Sequence, residues 1–139
     1  MNPDIEEFIT AARACTHQLL ENALYVRQEL PNVGLPELLQ REVEALCDTW
    51  LAAKHDALSD LDGIAEAMES ASGDLSSLAS RCRRVHAILG DVFEPTDCVI
   101  QQLRQAAQAN ARLGLAALLV TESAANILRS TPGLPASLG

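Results

Sequence analysis

Aromatic residues are almost missing from this chain: one Trp, one Tyr and two Phe among 139 residues. Its core must be made of Leu, Ala, Val and Ile. The β-branched and aromatic enrichment that marks strands and sandwiches is absent. The few alternating apolar stretches sit inside longer helical periods, so no strand is expected. Long apolar runs are missing too. The longest covers eight residues, 113–120, which is short for a bilayer span. The N-terminus, Met1-Asn2-Pro3-Asp4, is acidic and has none of the apolar segment of a signal peptide. Four cysteines (Cys15, Cys47, Cys82, Cys98) lie far apart with no C-x-x-C pair, the usage of a reducing compartment in which thiols act as small hydrophobes. These absences lead to the expectation of a cytoplasmic chain with no membrane anchor.

Basic residues are also scarce. Ten Lys and Arg stand against nineteen Asp and Glu, a formal charge of −9. The first half carries the excess, and the acids concentrate between residues 35 and 73. Nucleic acid and anionic lipid both need a basic surface from which counterions are released, so neither is an expected partner. The asymmetry suits unlike helices packed antiparallel.

What is present is helical period. Asn2 caps a first helix that has Pro3 at its start and acids in its first turn. Its apolar stripe is Ile5, Ile9, Ala12, Thr16, Leu19, Ala23, Val26 and Leu30, and Pro31 is read as its stop. The second helix carries Leu39, Val43, Leu46, Trp50, Ala53, Ala57, Leu61, Ile64 and Met68 and stays in phase through Gly63. A third, capped by Asp74 or Ser72, carries Leu75, Leu78, Cys82, Val85 and Leu89, and Gly90 is read as its left-handed stop. The last begins at Pro95 or Thr96 and runs to Ser130. The expectation is therefore an all-α four-helix bundle with antiparallel neighbours and helices at 3–30, 36–70, 74–89 and 96–130. Residues 1–139 form one domain, with 134–139 as a loose tail.

Candidate chemistry is thin. Asp60, Asp62, Gly63 and Glu69 fall at the third, fifth, sixth and twelfth places of a calcium loop, but Leu58 holds the first, which should be a carboxylate. An acidic helix face explains the same residues. For metal ligation, Cys82 and His86 share a helix face, as do His17 and Glu21, and a zinc site would have to be assembled from distant residues such as Cys47, His55, Cys82 and His86; no His has a Glu three residues before it, as di-iron bundles require. No cofactor is expected. Arg81, Arg83 and Arg84 form the one basic cluster and are expected to pair with the acidic second helix. No nucleophile elbow, phosphate-cradling loop or nucleotide fingerprint occurs, so no residue pair takes a catalytic role.

The segment His86-Ala87-Ile88-Leu89-Gly90, following Gly73-Asp74-Leu75, resembles the phosphoaccepting helix of histidine phosphotransfer domains. Those are acidic four-helix bundles in which an exposed histidine is followed by an apolar residue, a lysine and a glycine. The resemblance implies a signalling protein with His86 as phosphoacceptor. Leu89 stands where the lysine is expected, and Arg83, one turn earlier, is the charge that could replace it.

The last helix is apolar on every face through 113–120 and slim in its middle, with Ala106, Ala107, Ala109, Ala111, Gly114, Ala116 and Ala117. An all-apolar helix needs neighbours all round. Two seams are legible on it, and the second (Leu103, Ala107, Gly114, Leu118, Ala125 and Leu128) is assigned to a second copy of the chain. The functional expectation is a non-enzymatic protein acting by protein–protein interaction: an adaptor, chaperone or immunity-type binder that forms a homodimer. The alternatives are phosphotransfer through His86 and a small helical metal protein or enzyme.

Overall fold

The computed structural model describes residues 3–70 and 74–138, with the side chain of Leu138 left out; Asn2 and Ser72, read above as caps, and Gly73 lie outside the described residues. Five helices follow one another: α1 (Pro3–Val33), α2 (Glu37–Glu69), α3 (Leu75–Gly90), α4 (Phe93–Ala109) and α5 (Gly114–Ser130). Tight 3-10 turns occupy Ala111–Leu113 and Ala136–Leu138. There is no strand among the described residues, and the fold is an all-α bundle.

α1 and α2 form a long antiparallel hairpin, each about 45–50 Å by its residue count. α1 does not stop at Pro31 but runs to Val33. Pro31 fits helical φ but forgoes one backbone bond, and only two residues of the helix follow it. The stop is Gly34, whose φ of +69° lets the chain turn out of the helix where a side chain would be strained. α2 is unbroken through Gly63, as its apolar phase requires. The Arg81 guanidinium lies over Gly63, 3.2 Å from where a Cβ would be.

The second half of the chain corrects the sequence reading. Gly90 is not left-handed, and Asp91 (φ −68°, ψ −12°) and Val92 (φ −72°, ψ −20°) stay in the right-handed helical region. Pro95 lies in the first turn of α4, where its missing N–H would have no partner anyway. The chain therefore keeps its heading from α3 into α4. Along this path the α2 partner recedes steadily: Arg81 lies over Gly63, Arg84 pairs with Asp60, and Thr96 bonds to Trp50. Together α3 and α4 form one column of the bundle.

The reversal comes where the reading of 96–130 placed an uninterrupted helix. Asn110 takes an extended conformation (φ −145°, ψ 106°), and its side-chain oxygen accepts from the Arg112 N–H at 3.1 Å, capping the turn at Ala111–Leu113. α5 then returns beside α4 and against α1. Antiparallel pairing with α1 follows from two contacts: Asn126 reaches Asn22, and Thr131 lies by Cys15. Gly114 is thus the first residue of α5 and not a waist in a long helix, and nothing lies within 4 Å of where its Cβ would be.

The core is the aliphatic one that composition demands. Its largest fully buried side chain is Trp50, whose Nε1 donates to Thr96 Oγ1 at 3.0 Å; that hydroxyl donates in turn to the Val92 carbonyl at 2.5 Å. The one indole is thus satisfied inside an apolar centre, and it ties α2 to the start of α4.

Candidate functional site

The six residues assigned to a second copy do not share one face. Leu103 is fully buried in the core of this chain, whereas Leu118 and Leu128 are 53% and 60% exposed on α5. Ala107, Gly114 and Ala125 are half-buried. The break at Asn110 separates Leu103 and Ala107 from the rest and turns the two parts antiparallel. What remains is the outward face of α5. Its inward face buries Ala116, Ala117, Val120, Ser123 and Ile127; Leu115, Leu118, Ala125 and Leu128 lie outside that face, spread over about 140° of the helix surface with Glu122 and Arg129 exposed among them. Leu115 is 65% exposed. Beside this face, a shallow groove of about 250 Å³ runs between α4 and α5, where Phe93, Ile100 and Arg104 face Thr121, Ala124 and Leu128.

On its other flank α5 meets α1 across a polar cleft of about 410 Å³, lined by Gln18, Glu21, Asn22, Tyr25, Glu122, Ser123 and Asn126. Asn22 is buried; its Nδ2 donates to the Gln18 carbonyl at 2.8 Å and to Gln18 Oε1 at 3.1 Å, while its Oδ1 accepts from Asn126 Nδ2 at 3.2 Å. Arg129 donates to Asn126 Oδ1, and His17 Nε2 stands 2.8 Å from Glu21 Oε1. Period counting missed this cleft. A seam search credits apolar residues, and these polar side chains occupy the positions it passes over.

The other candidates resolve by geometry. Asp60, Asp62, Gly63 and Glu69 lie on continuous α2, so they form no calcium loop. Two of those carboxylates already have partners, Asp60 with Arg84 at 3.2 Å and Asp62 with Arg13 at 3.1 Å. The pairing expected of the arginine cluster is thus present at Arg84. Among the described residues, no three of His, Cys, Asp and Glu come together as a metal site, and Cys47, His55, Cys82 and His86 are not assembled. His86 is half-buried on α3, one turn from buried Cys82.

All four cysteines are unpaired, and Cys98 alone is exposed. Burial pushes the thiols of Cys15 and Cys82 up from their ordinary value. Burial raises Cys47 furthest, to about 11, against the opposing pull of the Arg27 charge. None of these three is an activated thiolate at neutral pH. By length and composition one segment, Ala111–Ser130, would suffice to cross a membrane, with a mean hydropathy of 1.3. The segment carries Arg112, Glu122 and Arg129, charges that interrupt its apolar run. A core helix of a bundle meets the same measure of length and composition.

No protein-family model, curated protein or solved structure matches this chain. The described residues form an all-α bundle with three exposed leucines on α5 and a polar cleft between α1 and α5.

Proposed function

We propose that this is a non-enzymatic cytoplasmic protein that acts by binding another protein chain through the outward face of α5, with a second copy of itself as the first partner. The observation that carries the reading is the group of three leucines, Leu115, Leu118 and Leu128, each more than half exposed along one helix of 17 residues. Clustered apolar exposure of this kind marks interaction surfaces more often than isolated leucines do. The face is self-complementary in an antiparallel two-fold packing centred between Thr121 and Glu122. Leu118 then meets the small Ala125 of the partner copy, Leu115 meets Leu128, and Arg129 passes over Gly114. α5 is only about 25 Å long, so a stable interface draws on the adjoining α4 groove as well. The cytoplasmic assignment rests on the four unpaired thiols.

Sedimentation velocity tests the reading. The wild type is expected to dimerise at micromolar concentrations, and Leu118→Glu is expected to be monomeric with unchanged helical circular dichroism. A wild type that stays monomeric at hundreds of micromolar, or a dimer that Leu118→Glu and Leu128→Glu leave intact, refutes it.

A further inference from the structure

We propose that the polar cleft between α1 and α5 is a binding site for a guanidinium group. α5 is the most apolar helix of the chain, yet toward α1 it presents Glu122, Ser123 and Asn126, and α1 answers with Gln18, Glu21, Asn22 and Tyr25. At the two buried positions, Asn22 and Ser123, leucine or valine would stabilise a bundle more, since desolvating polar groups costs free energy that aliphatic packing avoids. Part of the set is explained by its internal bonds: Asn22, Asn126 and Gln18 satisfy one another. Ser123 is not. It is only 2% exposed, and no described residue takes its hydroxyl.

Other hydroxyls on and just after α5 behave differently. Thr121 folds back onto the Ala117 carbonyl at 2.6 Å, Ser130 onto the Ile127 carbonyl at 2.9 Å, and Thr131 onto the same carbonyl at 2.9 Å. Folding back is the default for a helical Ser or Thr. Among the described residues no fully enclosed side-chain polar atom lacks a partner. The Ser123 hydroxyl, being unpartnered, therefore opens onto the cleft that its residue lines.

The chemistry of the remaining lining selects the ligand. Glu122 and Glu21 contribute two carboxylates, Glu21 with His17 Nε2 at 2.8 Å on its outer side; no Lys or Arg is among the lining residues, and the Arg129 guanidinium at the rim is engaged on Asn126 Oδ1. Ser123 adds a free acceptor, and Tyr25, half exposed, offers a ring at the mouth. Carboxylates that accept a planar fork of N–H donors, beside an aromatic face on which that fork stacks, are the recognition chemistry of guanidinium. A volume of about 410 Å³ admits the group and a short alkyl stem. Such a group occurs on free alkylguanidines and on the arginyl side chains of proteins.

Titration of the intact protein, followed by backbone amide NMR shifts, uses three probes: butylguanidinium, its neutral isostere N-butylurea, and acetyl-Gly-Arg-Gly-amide. Saturable shifts at residues 18–25 and 122–126 are expected with butylguanidinium and not with the urea. Glu122→Gln and Glu21→Gln each replace an exposed carboxylate, so folding is undisturbed, and each is expected to weaken binding by about fivefold or more. Ser123→Ala is expected to weaken it without removing it. If the peptide binds tenfold tighter than butylguanidinium, the source is an arginyl side chain of a protein; equal binding assigns a free guanidine. Equal response to the urea, shifts spread along the acidic face of α2, or indifference to Glu122→Gln overturns the proposal. Leu118→Glu lies outside this cleft, so loss of self-association leaves guanidinium binding intact and the two readings fail separately.

Discussion

Replacing Asn110 with alanine is expected to convert part of the protein into a domain-swapped dimer. The perturbation is small and confined to the turn between α4 and α5. In the wild type the Asn110 side chain accepts from the Arg112 N–H, and its backbone leaves the helical region. Alanine removes that cap, worth about 1 kcal/mol to the closed turn. It also favours a helix running straight through the turn by about 0.5 kcal/mol. The flanking sequence, Gln105-Ala106-Ala107-Gln108-Ala109 before and Ala111-Arg112-Leu113 after, contains no other helix breaker until Gly114. Straightened, residues 93–130 form one rod of about 57 Å, which carries α5 off its own α1. The buried set Ala116, Ala117, Val120, Ser123 and Ile127 can then dock only on the α1 of another copy, restoring every interhelical contact except the turn. Two turns contribute per dimer, about 3 kcal/mol in total, which shifts the monomer–dimer constant by roughly a hundredfold.

The assay is light scattering on fractions separated by size, after warming and slow cooling so that α5 can exchange. Two controls separate this species from an α5-face dimer. Asn110→Asp keeps an equivalent cap and should behave as wild type. Adding Leu118→Glu should not dissociate the swapped form, because the outward face is not part of its contact. If annealed Asn110→Ala at hundreds of micromolar keeps the wild-type mass, and its unfolding free energy falls by less than about 0.5 kcal/mol, the cap does not hold the turn and the reasoning fails.

Thr96→Val is expected to cost about 1–3 kcal/mol by leaving the buried Trp50 N–H without an acceptor, read by urea denaturation through the fluorescence of the single tryptophan. The same substitution in a Trp50→Phe background should cost clearly less, since no indole donor remains. Stability is expected to fall as pH rises from 9 toward 11: the folded state holds the Cys47 proton up to about 11, while the unfolded chain releases it near the ordinary value of 9.0. The unfolded state therefore binds fewer protons in that window and gains by at most about 2–3 kcal/mol, a slope that Cys47→Ala should reduce and whose absence below pH 8 is checked by the same denaturation series. Titration with a thiol reagent at pH 8 should modify Cys98 fast and Cys15, Cys47 and Cys82 only on the timescale of unfolding.

The first two helices were legible because their signals are long and redundant. Nine apolar positions of α2 keep one phase across Gly63, and no local preference of a single glycine outweighs that. Boundaries were less legible where one residue type serves two geometries. Pro31 and Pro95 both look like punctuation, yet one lies in the last turn of α1 and the other in the first turn of α4. Gly90 has the composition of a left-handed helix stop, yet its φ is not positive and it is the last residue of α3. Asn110 is the converse case. It lies inside an Ala- and Gln-rich run whose summed propensity favours helix, and one capping bond that no propensity sum contains reverses the chain.

That reversal also explains why α5 looked as if it needed two sets of neighbours. Read as the second half of one long helix, its apolar surplus had to be covered by another chain along its whole length. Folded back, α5 takes α1 on one side and α4 on the other, and both are supplied by the same chain. The surplus shrinks to three exposed leucines on α5, Leu115, Leu118 and Leu128. The same turn brings Glu122, Ser123 and Asn126 against α1, where they meet Gln18, Glu21, Asn22 and Tyr25 more than ninety residues earlier in the chain. Neither helix alone marks these residues as special, because on an isolated amphipathic helix they read as flank. Only the antiparallel register set by Asn110 makes them a cleft, so displacing α5 in the Asn110→Ala rod should abolish guanidinium shifts in any monomer whose α5 stays undocked. A swapped dimer, which rebuilds the α1–α5 seam between copies, should recover them.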